Sequence, residues 1–188
     1  MYNKVFKAAN WERLVSPERV SLMDPQKFLA IAEPGDREIW LDLGCGPGFF
    51  TLPLAEQVQK IYATDISRDM IEICQTRAAE SDLSNITYIE SASAEINVDS
   101  NSLDKLLLAN VYHEFPSAKE VINELSRLLK QDGRLYVIDW RFEQMEMGPP
   151  LEHRIPEIQV IDSFESAGFQ FRQKHDIYEH NYFLEFAK

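Results

Sequence analysis

The segment Leu41-Asp42-Leu43-Gly44-Cys45-Gly46-Pro47-Gly48 restricts what this chain can fold into more than any other. It follows an apolar run, Ile39-Trp40-Leu41, and precedes an amphipathic stretch over residues 49–58. That order predicts a strand, a glycine turn and a helix. Glycines at alternate positions let the backbone turn sharply and let a ligand lie against it with no Cβ atoms in the way. The spacing is GxGxG, whereas the dinucleotide fingerprint is GxGxxG; no Gly-Lys-Ser/Thr follows, which excludes a P-loop. Asp42 lies inside the turn, where a carboxylate repels a pyrophosphate and suits a cationic, amino-bearing ligand. Asp65 ends the next predicted strand, a place from which an acid holds ribose hydroxyls.

Strands and helices alternate along the rest of the chain. Ser16-Pro17 and Asp24-Pro25 each put a capping side chain before a proline at the first helical position, predicting helices over 17–23 and Pro25–Ala32. Strands are expected at Ile39–Leu43, 60–64 and Ile86–Glu90, with a helix opened by Ser67 carrying Met70, Ile71, Ile73, Cys74 and Ala78 at helical spacing. Leu103–Ala109 reads as a strand buried on both faces. Ser117-Ala118-Lys119-Glu120 reads as a capping box, followed by an apolar stripe of Val121, Leu125, Leu128 and Leu129. Gly133 ends the next connection, before a strand over 135–139, a helix over 156–167 closed by Gly168, and extended runs over 169–175 and 182–187. The expected fold is α/β: a Rossmann-like, doubly wound, seven-stranded sheet, mostly parallel, with an antiparallel C-terminal hairpin.

This arrangement resembles the class I S-adenosylmethionine-dependent methyltransferases, in the type 11 or UbiE-like small-molecule group. The resemblance rests on Asp42 to Gly48, on Asp65 and on the C-terminal hairpin, and runs from about Asp24 to the end. It implies one methyltransferase domain over 1–188: N-terminal helices covering the site (1–35), a cofactor-binding core (36–140), then a substrate loop, helix and hairpin (141–188). It also implies S-adenosyl-L-methionine as cofactor, S-adenosyl-L-homocysteine as product, and no metal. Gly44, Cys45, Gly46 and Gly48 would line the methionine part, Asp42 its amino group, Asp65 the ribose, and Ile66 and Met70 the adenine. Relatives often carry Gly-Asp-Ala after the third strand; this chain reads Ser91-Ala92-Ser93-Ala94-Glu95. Ser93 then stands where the acid contacts the adenine amine, Ala94 offers a backbone N–H, and Glu95 is the substitute if the register slips. Asn110 follows the fourth strand near the expected position of the methyl group.

On the acceptor side, Tyr112 and His113 continue over the pocket, and His113 is the candidate general base because imidazole titrates near neutrality. Gly148-Pro149-Pro150-Leu151-Glu152-His153-Arg154 lies between the fifth strand and the next helix. His153 and Arg154 there present a polar pair, with Arg154 able to clamp a carboxylate or phosphate or to serve its own loop. Trp11, Phe28 and Trp140 could add apolar cover, although Phe28 reads first as core packing. Asp104 sits at the opposite end of its strand and reads as structural.

Composition narrows the partners. Acids outnumber bases 31 to 19, a net charge of −12, which disfavours nucleic acid and favours a small-molecule substrate. No apolar run approaches the roughly 18 residues needed to span a bilayer. Two cysteines, Cys45 and Cys74, form no metal-ligand spacing, and a reducing, cytoplasmic setting is expected. Competing readings are a non-catalytic S-adenosylmethionine-binding protein and a nicotinamide dehydrogenase. The latter is disfavoured by the misplaced third glycine and the lack of a Tyr-x-x-x-Lys pair.

Overall fold

Every predicted strand forms, and all of them join one sheet. The computed structural model describes residues 6–91 and 95–188. The strands are β1 (Ile39–Leu43), β2 (Lys60–Asp65), β3 (Ile86–Glu90), β4 (Leu103–Ala109), β5 (Leu129–Trp140), β6 (Gln170–His175) and β7 (Asn181–Ala187). Their order across the sheet is β3-β2-β1-β4-β5-β7-β6. β1 pairs parallel with β2 and β4, β2 with β3, and β4 with β5. β7 inserts antiparallel between β5 and β6. The chain reverses its direction of winding between β1 and β4, so the crevice for a ligand opens beyond the C-terminal ends of those two strands.

Side-chain alternation builds a core on each face. In β4, Leu106 and Leu108 join a cluster with Leu125, Leu128, Val160 and Phe164, whereas Leu107 turns to Phe28, Trp40, Leu54 and Ile61. The first set packs helices α5 (Ala118–Leu128) and α6 (Glu157–Ser166) on one face; the second packs α2 (Pro25–Ala32) and α3 (Thr51–Ala55) on the other. Leu106, Leu107 and Leu108 are fully buried, as a central parallel strand demands. Phe28 sits edge-on to Trp40, Phe50 and Tyr136, so it is core and not pocket cover.

Helix starts follow the sequence signals at the N-terminus. The Ser16 hydroxyl accepts from Arg19 N at 3.3 Å and opens α1 (Pro17–Leu22); the Asp24 carboxylate accepts from Gln26 N at 2.9 Å and opens α2. α4 (Arg68–Glu80) starts at Ser67, whose hydroxyl accepts from Met70 N. Three local expectations fail. The helix after the glycine turn shrinks to Thr51–Ala55: Pro53 has no N–H for the Phe49 carbonyl, and Gln57 N bonds back only three residues, to Leu54 O. Ser117 makes no capping bond to α5, whose buried face is Ile122, Leu125 and Leu128 rather than the stripe through Val121 and Leu129. Leu129 instead starts β5 directly, pairing with Leu103 before an irregularity in register. Among the described residues no helix is long and apolar enough to cross a membrane.

Candidate active site

One cavity of about 1390 Å³ lies beyond the C-terminal ends of β1, β2, β4 and β5. Residues from the first two helical segments, the glycine turn, the end of β2, the segment after β4 and the loop after β5 all line it.

The glycine turn is built from backbone. Thr64 O at the end of β2 accepts from both Gly44 N and Cys45 N, at 2.8 and 2.9 Å. Asp65 then accepts from Gly46 N through Oδ2 and from Ser67 N through Oδ1, each at 2.8 Å. The same carboxylate thus ties the turn to the start of α4. Each of its oxygens keeps a further lone pair for a ligand hydroxyl. Arg77, from α4, donates to the Pro47 carbonyl and holds the turn from behind. Burial pushes the Asp65 carboxyl up, against the pull of the backbone N–H groups of Ser67, Gly46 and Ile66.

Two of the glycines do different work. At Gly46 φ is +51°, and an added Cβ would meet nothing nearer than Leu14 Cδ1 at 3.8 Å, so the bare backbone faces open space in the cavity. At Gly48 φ is +84°, and an added Cβ would sit 2.3 Å from Leu52 Cδ1 and 2.8 Å from Cys74 Sγ. Gly48 does not line the cavity; its glycine is required by the packing of the turn on α3 and α4, which corrects its assignment to the ligand surface. Asp42 is buried at the floor of the cavity, where Thr51 Oγ1 donates to it at 2.6 Å. Burial raises its carboxyl to about 7, partly offset by the Thr51 bond, with the Asp65 charge adding to the rise.

Met70 is buried and Ile66 is 54% exposed; both line the cavity, beyond Asp65. Ser93 and Ala94 lie outside the described residues. Glu95 is exposed and off the cavity lining, its charge acting on Arg127 instead, so it does not stand in for an acid at this site. Asn110 lines the cavity in the left-handed region, φ +56°. β5 and β7 fix it there: its N donates to Ile138 O at 2.7 Å, and its Oδ1 accepts from Asn181 Nδ2 at 2.8 Å. A non-glycine residue held in this conformation costs about 1–2 kcal/mol and persists only where its surroundings over-determine it.

The opposite wall is built from buried side chains. His113 stands in a 3₁₀ turn (Tyr112–Glu114) and is 8% exposed. Its Nδ1 lies 2.8 Å from Asp139 Oδ1, and its backbone N donates to Asp139 Oδ2 at 3.1 Å. Asp139, 1% exposed near the end of β5, also accepts from Trp140 N. A carboxylate can only accept, so Nδ1 carries the proton and Nε2 is the basic nitrogen. Nε2 lies 3.9 Å from Glu114 Oε1. Burial pushes the Glu114 carboxyl up to about 7; His113 draws it down, and Asp139 and Asp65 add to the rise.

Several acceptor-side expectations are corrected. Tyr112 is 5% exposed, absent from the cavity wall and packed on Phe115 and Phe164. Trp11 lines a separate shallow depression beside Arg77, 6.0 Å from that guanidinium. His153 ends a 3₁₀ turn (Leu151–His153) away from the cavity. Arg154 is buried, and its guanidinium donates to the carbonyls of Pro149, Arg141, Glu143 and Met147. Those bonds consume the donors a substrate anion would need; Arg154 holds the loop after β5 in shape. Asp104 is structural as expected, accepting from Ile39 N and Lys130 Nζ. Trp140 does line the cavity. No spacing in the sequence singles out Arg19 or Asp139. A signal for Asp139 was present: it is a lone acid in the buried strand Val137-Ile138-Asp139. Among the described residues no group of three or more His, Cys, Asp or Glu could hold a metal ion.

The comparisons agree with this geometry. A family model described as a methyltransferase domain, of type 11, matches residues 41–137, just over half of the chain. An uncharacterised methyltransferase of Bacillus subtilis, YcgJ, is 27% identical over 66% of this chain and 44% of its own length. A demethylmenaquinone methyltransferase of Lactococcus lactis is 26% identical over 73% of this chain and 62% of its own. The chain thus spans roughly half of the length of these curated relatives. The crystal structure of a SAM-dependent methyltransferase from Aquifex aeolicus superposes with a TM-score of 0.91 at 26% identity, covering 97% of this chain and 99% of that one. Since the family model covers more than half of its length, the chain belongs to the type 11 family of S-adenosylmethionine-dependent methyltransferase domains.

Proposed function

We propose that this protein moves a methyl group from S-adenosylmethionine, in line, to a small-molecule acceptor held between the glycine turn and the His113–Asp139 pair. One observation carries the reading: one cavity of about 1390 Å³ is lined by the glycine turn and by His113, whose partner Asp139 lies behind it. Pockets for one small ligand run to about 300–1,000 Å³, so there is room for a cofactor and an acceptor together. The cofactor fits the residues present. Gly46 offers backbone with nothing in the way, Asp65 has acceptor capacity for two ribose hydroxyls, and Ile66 and Met70 give apolar walls for an adenine. Asp42, with Gly44 and Cys45 beside it and Asn110 across the crevice, serves the amino-acid end.

Bound S-adenosylmethionine supplies a sulfonium methyl that is already electrophilic. The protein's task is then to align a nucleophile behind it and exclude water. Aromatic rings of Phe49, Phe50, Phe115 and Trp140 line the remaining wall and suit a planar, apolar acceptor body. The name of the Lactococcus relative indicates such an acceptor for that protein. His113 Nε2 takes the proton of an acceptor hydroxyl or amine as the bond to the methyl forms, and Asp139 stabilises the imidazolium that results. The net charge of −12 disfavours a nucleic-acid acceptor.

The test is incubation with methyl-labelled S-adenosylmethionine and separate panels of phenols, aromatic acids, amines, proteins and RNA. Label in a small-molecule product with release of S-adenosylhomocysteine is the expected result. Label found only in protein or RNA overturns the assignment of acceptor class.

A further inference from the structure

Two guanidinium groups approach the Trp140 ring, Arg154 at 5.9 Å and Arg19 at 5.8 Å, and their surroundings are opposite. Arg154 has four backbone carbonyls. Arg19, projecting from α1 into the cavity, has a sulfur: its Nη2 lies 3.5 Å from Met23 Sδ. Its Nε is fully buried with no acceptor, and no carboxylate forms an ion pair with it among the described residues. An arginine carries five N–H donors and no acceptor, and a donor shut off from water, as Nε is here, ordinarily finds oxygen. The ring of Phe49, 5.6 Å away, is a second aromatic neighbour, and neither ring gives the N–H groups an oxygen.

The position of Arg19 along the cavity says which ligand it meets. Its guanidinium lies 5.8 Å from the ring of Trp140, the residue that follows Asp139 at the end of β5. Arg19 therefore stands at the end of the cavity where His113 and Asp139 lie. Resting on the reading of the site as a methyltransferase centre, we propose that Arg19 receives an anionic group of the methyl acceptor, a carboxylate or similarly small oxyanion carried on a planar body. Guanidinium and carboxylate match in shape and pair through two parallel N–H···O bonds. Burial lowers the Arg19 guanidinium to about 10, which still leaves it charged at neutral pH.

The experiment uses the full chain saturated with S-adenosylhomocysteine, titrated with benzoate and, separately, with benzamide. The Nε–H resonance of Arg19 is followed by NMR and assigned by its loss in Arg19→Gln. Saturable binding of benzoate that shifts this resonance is expected, with benzamide at least tenfold weaker. Arg19→Gln should lose benzoate binding at least tenfold, and Arg19→Lys, which keeps the charge but not the fork, should fall between wild type and Arg19→Gln. S-adenosylhomocysteine affinity should stay within threefold in both variants. Two results overturn the proposal: no saturable benzoate binding by wild type, or equal binding by Arg19→Gln. A third does so by naming the other source of the carboxylate. If Arg19→Gln weakens S-adenosylhomocysteine more than tenfold but leaves 5′-methylthioadenosine, which lacks the amino-acid group, unchanged, the anion belongs to the cofactor. Failure of wild type to bind S-adenosylhomocysteine at all is a separate outcome and strikes the methyltransferase reading itself.

Discussion

The two walls of the cavity are made of different material. The wall formed by the glycine turn is main chain: Gly44, Cys45 and Gly46 N–H groups tied to Thr64 O and Asp65, with one open glycine facing inward. The wall formed by His113, Glu114 and Arg19, with Asp139 behind His113, is side chain, brought in from three separate segments. Main chain held by such bonds comes pre-positioned, costs no side-chain entropy and fits a ligand whose shape never changes. Buried side chains have perturbed protonation and orientation, which chemistry and substrate choice require. One wall is thus suited to a constant cofactor and the other to a particular acceptor.

Substitutions separate the two walls, and the largest expected effect lies on the side-chain wall. His113→Ala and Asp139→Asn should each lower the turnover number on the order of 10²–10⁴-fold, the usual contribution of a positioned base. S-adenosylhomocysteine affinity should be nearly unchanged in both. A His113→Ala protein that methylates at the wild-type rate would break the division between the walls. On the main-chain wall, Gly48→Ala should destabilise the fold by about 2–4 kcal/mol through overpacking and a left-handed φ, read by urea unfolding. Gly46→Ala meets no such clash and should cost only about 1–2 kcal/mol, while weakening cofactor binding more than Gly48→Ala does among folded molecules. Equal stability losses would remove the distinction drawn between these two glycines.

Arg154→Ala sharpens the comparison from outside the cavity. It leaves four carbonyls of the loop after β5 without their donors, a loss of about 2–3 kcal/mol, and it should lower Tm while leaving KM for the acceptor nearly unaltered. A selective rise in KM would return Arg154 to the acceptor site.

The smallest effect concerns protons. Asp42 and Glu114 both have folded-state values raised to about 7 by burial. A raised acid contributes stability that is complete below its unfolded value, about 4, and is lost as pH rises through the folded value. The unliganded protein should therefore lose this contribution between about pH 4 and 7, and Asp42→Asn should flatten part of the slope in urea titrations at pH 5 and pH 8. An amino group placed against Asp42 favours its ionised form. Binding of S-adenosylhomocysteine near pH 6.5 should therefore release protons in wild type and fewer in Asp42→Asn, measured by calorimetry in buffers of different ionisation enthalpy.

The division between the walls also explains what could be read from the sequence. The glycine turn, Asp65 and the strand–helix alternation are encoded within a few residues of one another, by spacing and capping alone, and the sheet follows from them. The chemical wall depends on contacts far apart in the chain: His113 meets Asp139 across 26 positions, and Arg19 reaches the cavity from the first α-helix. No periodicity marks such meetings. Arg154 shows the reverse error, for its exposed-looking motif, prolines followed by His-Arg, hides a guanidinium turned inward onto carbonyls that only the folded loop brings together. Trp11 and Tyr112 are flanked in sequence by residues that line the cavity, yet one packs beside α4 and the other in the core.

The central claim is that the acid ending β2 and the bare turn beside it form the nucleoside seat. Isothermal titration of the full chain with S-adenosylhomocysteine tests it most directly. Wild type should bind in the micromolar range, roughly −8 kcal/mol, His113→Ala should match it, and a folded Asp65→Ala should bind at least tenfold more weakly. Binding of undiminished strength by Asp65→Ala, or no binding by wild type, would contradict the account.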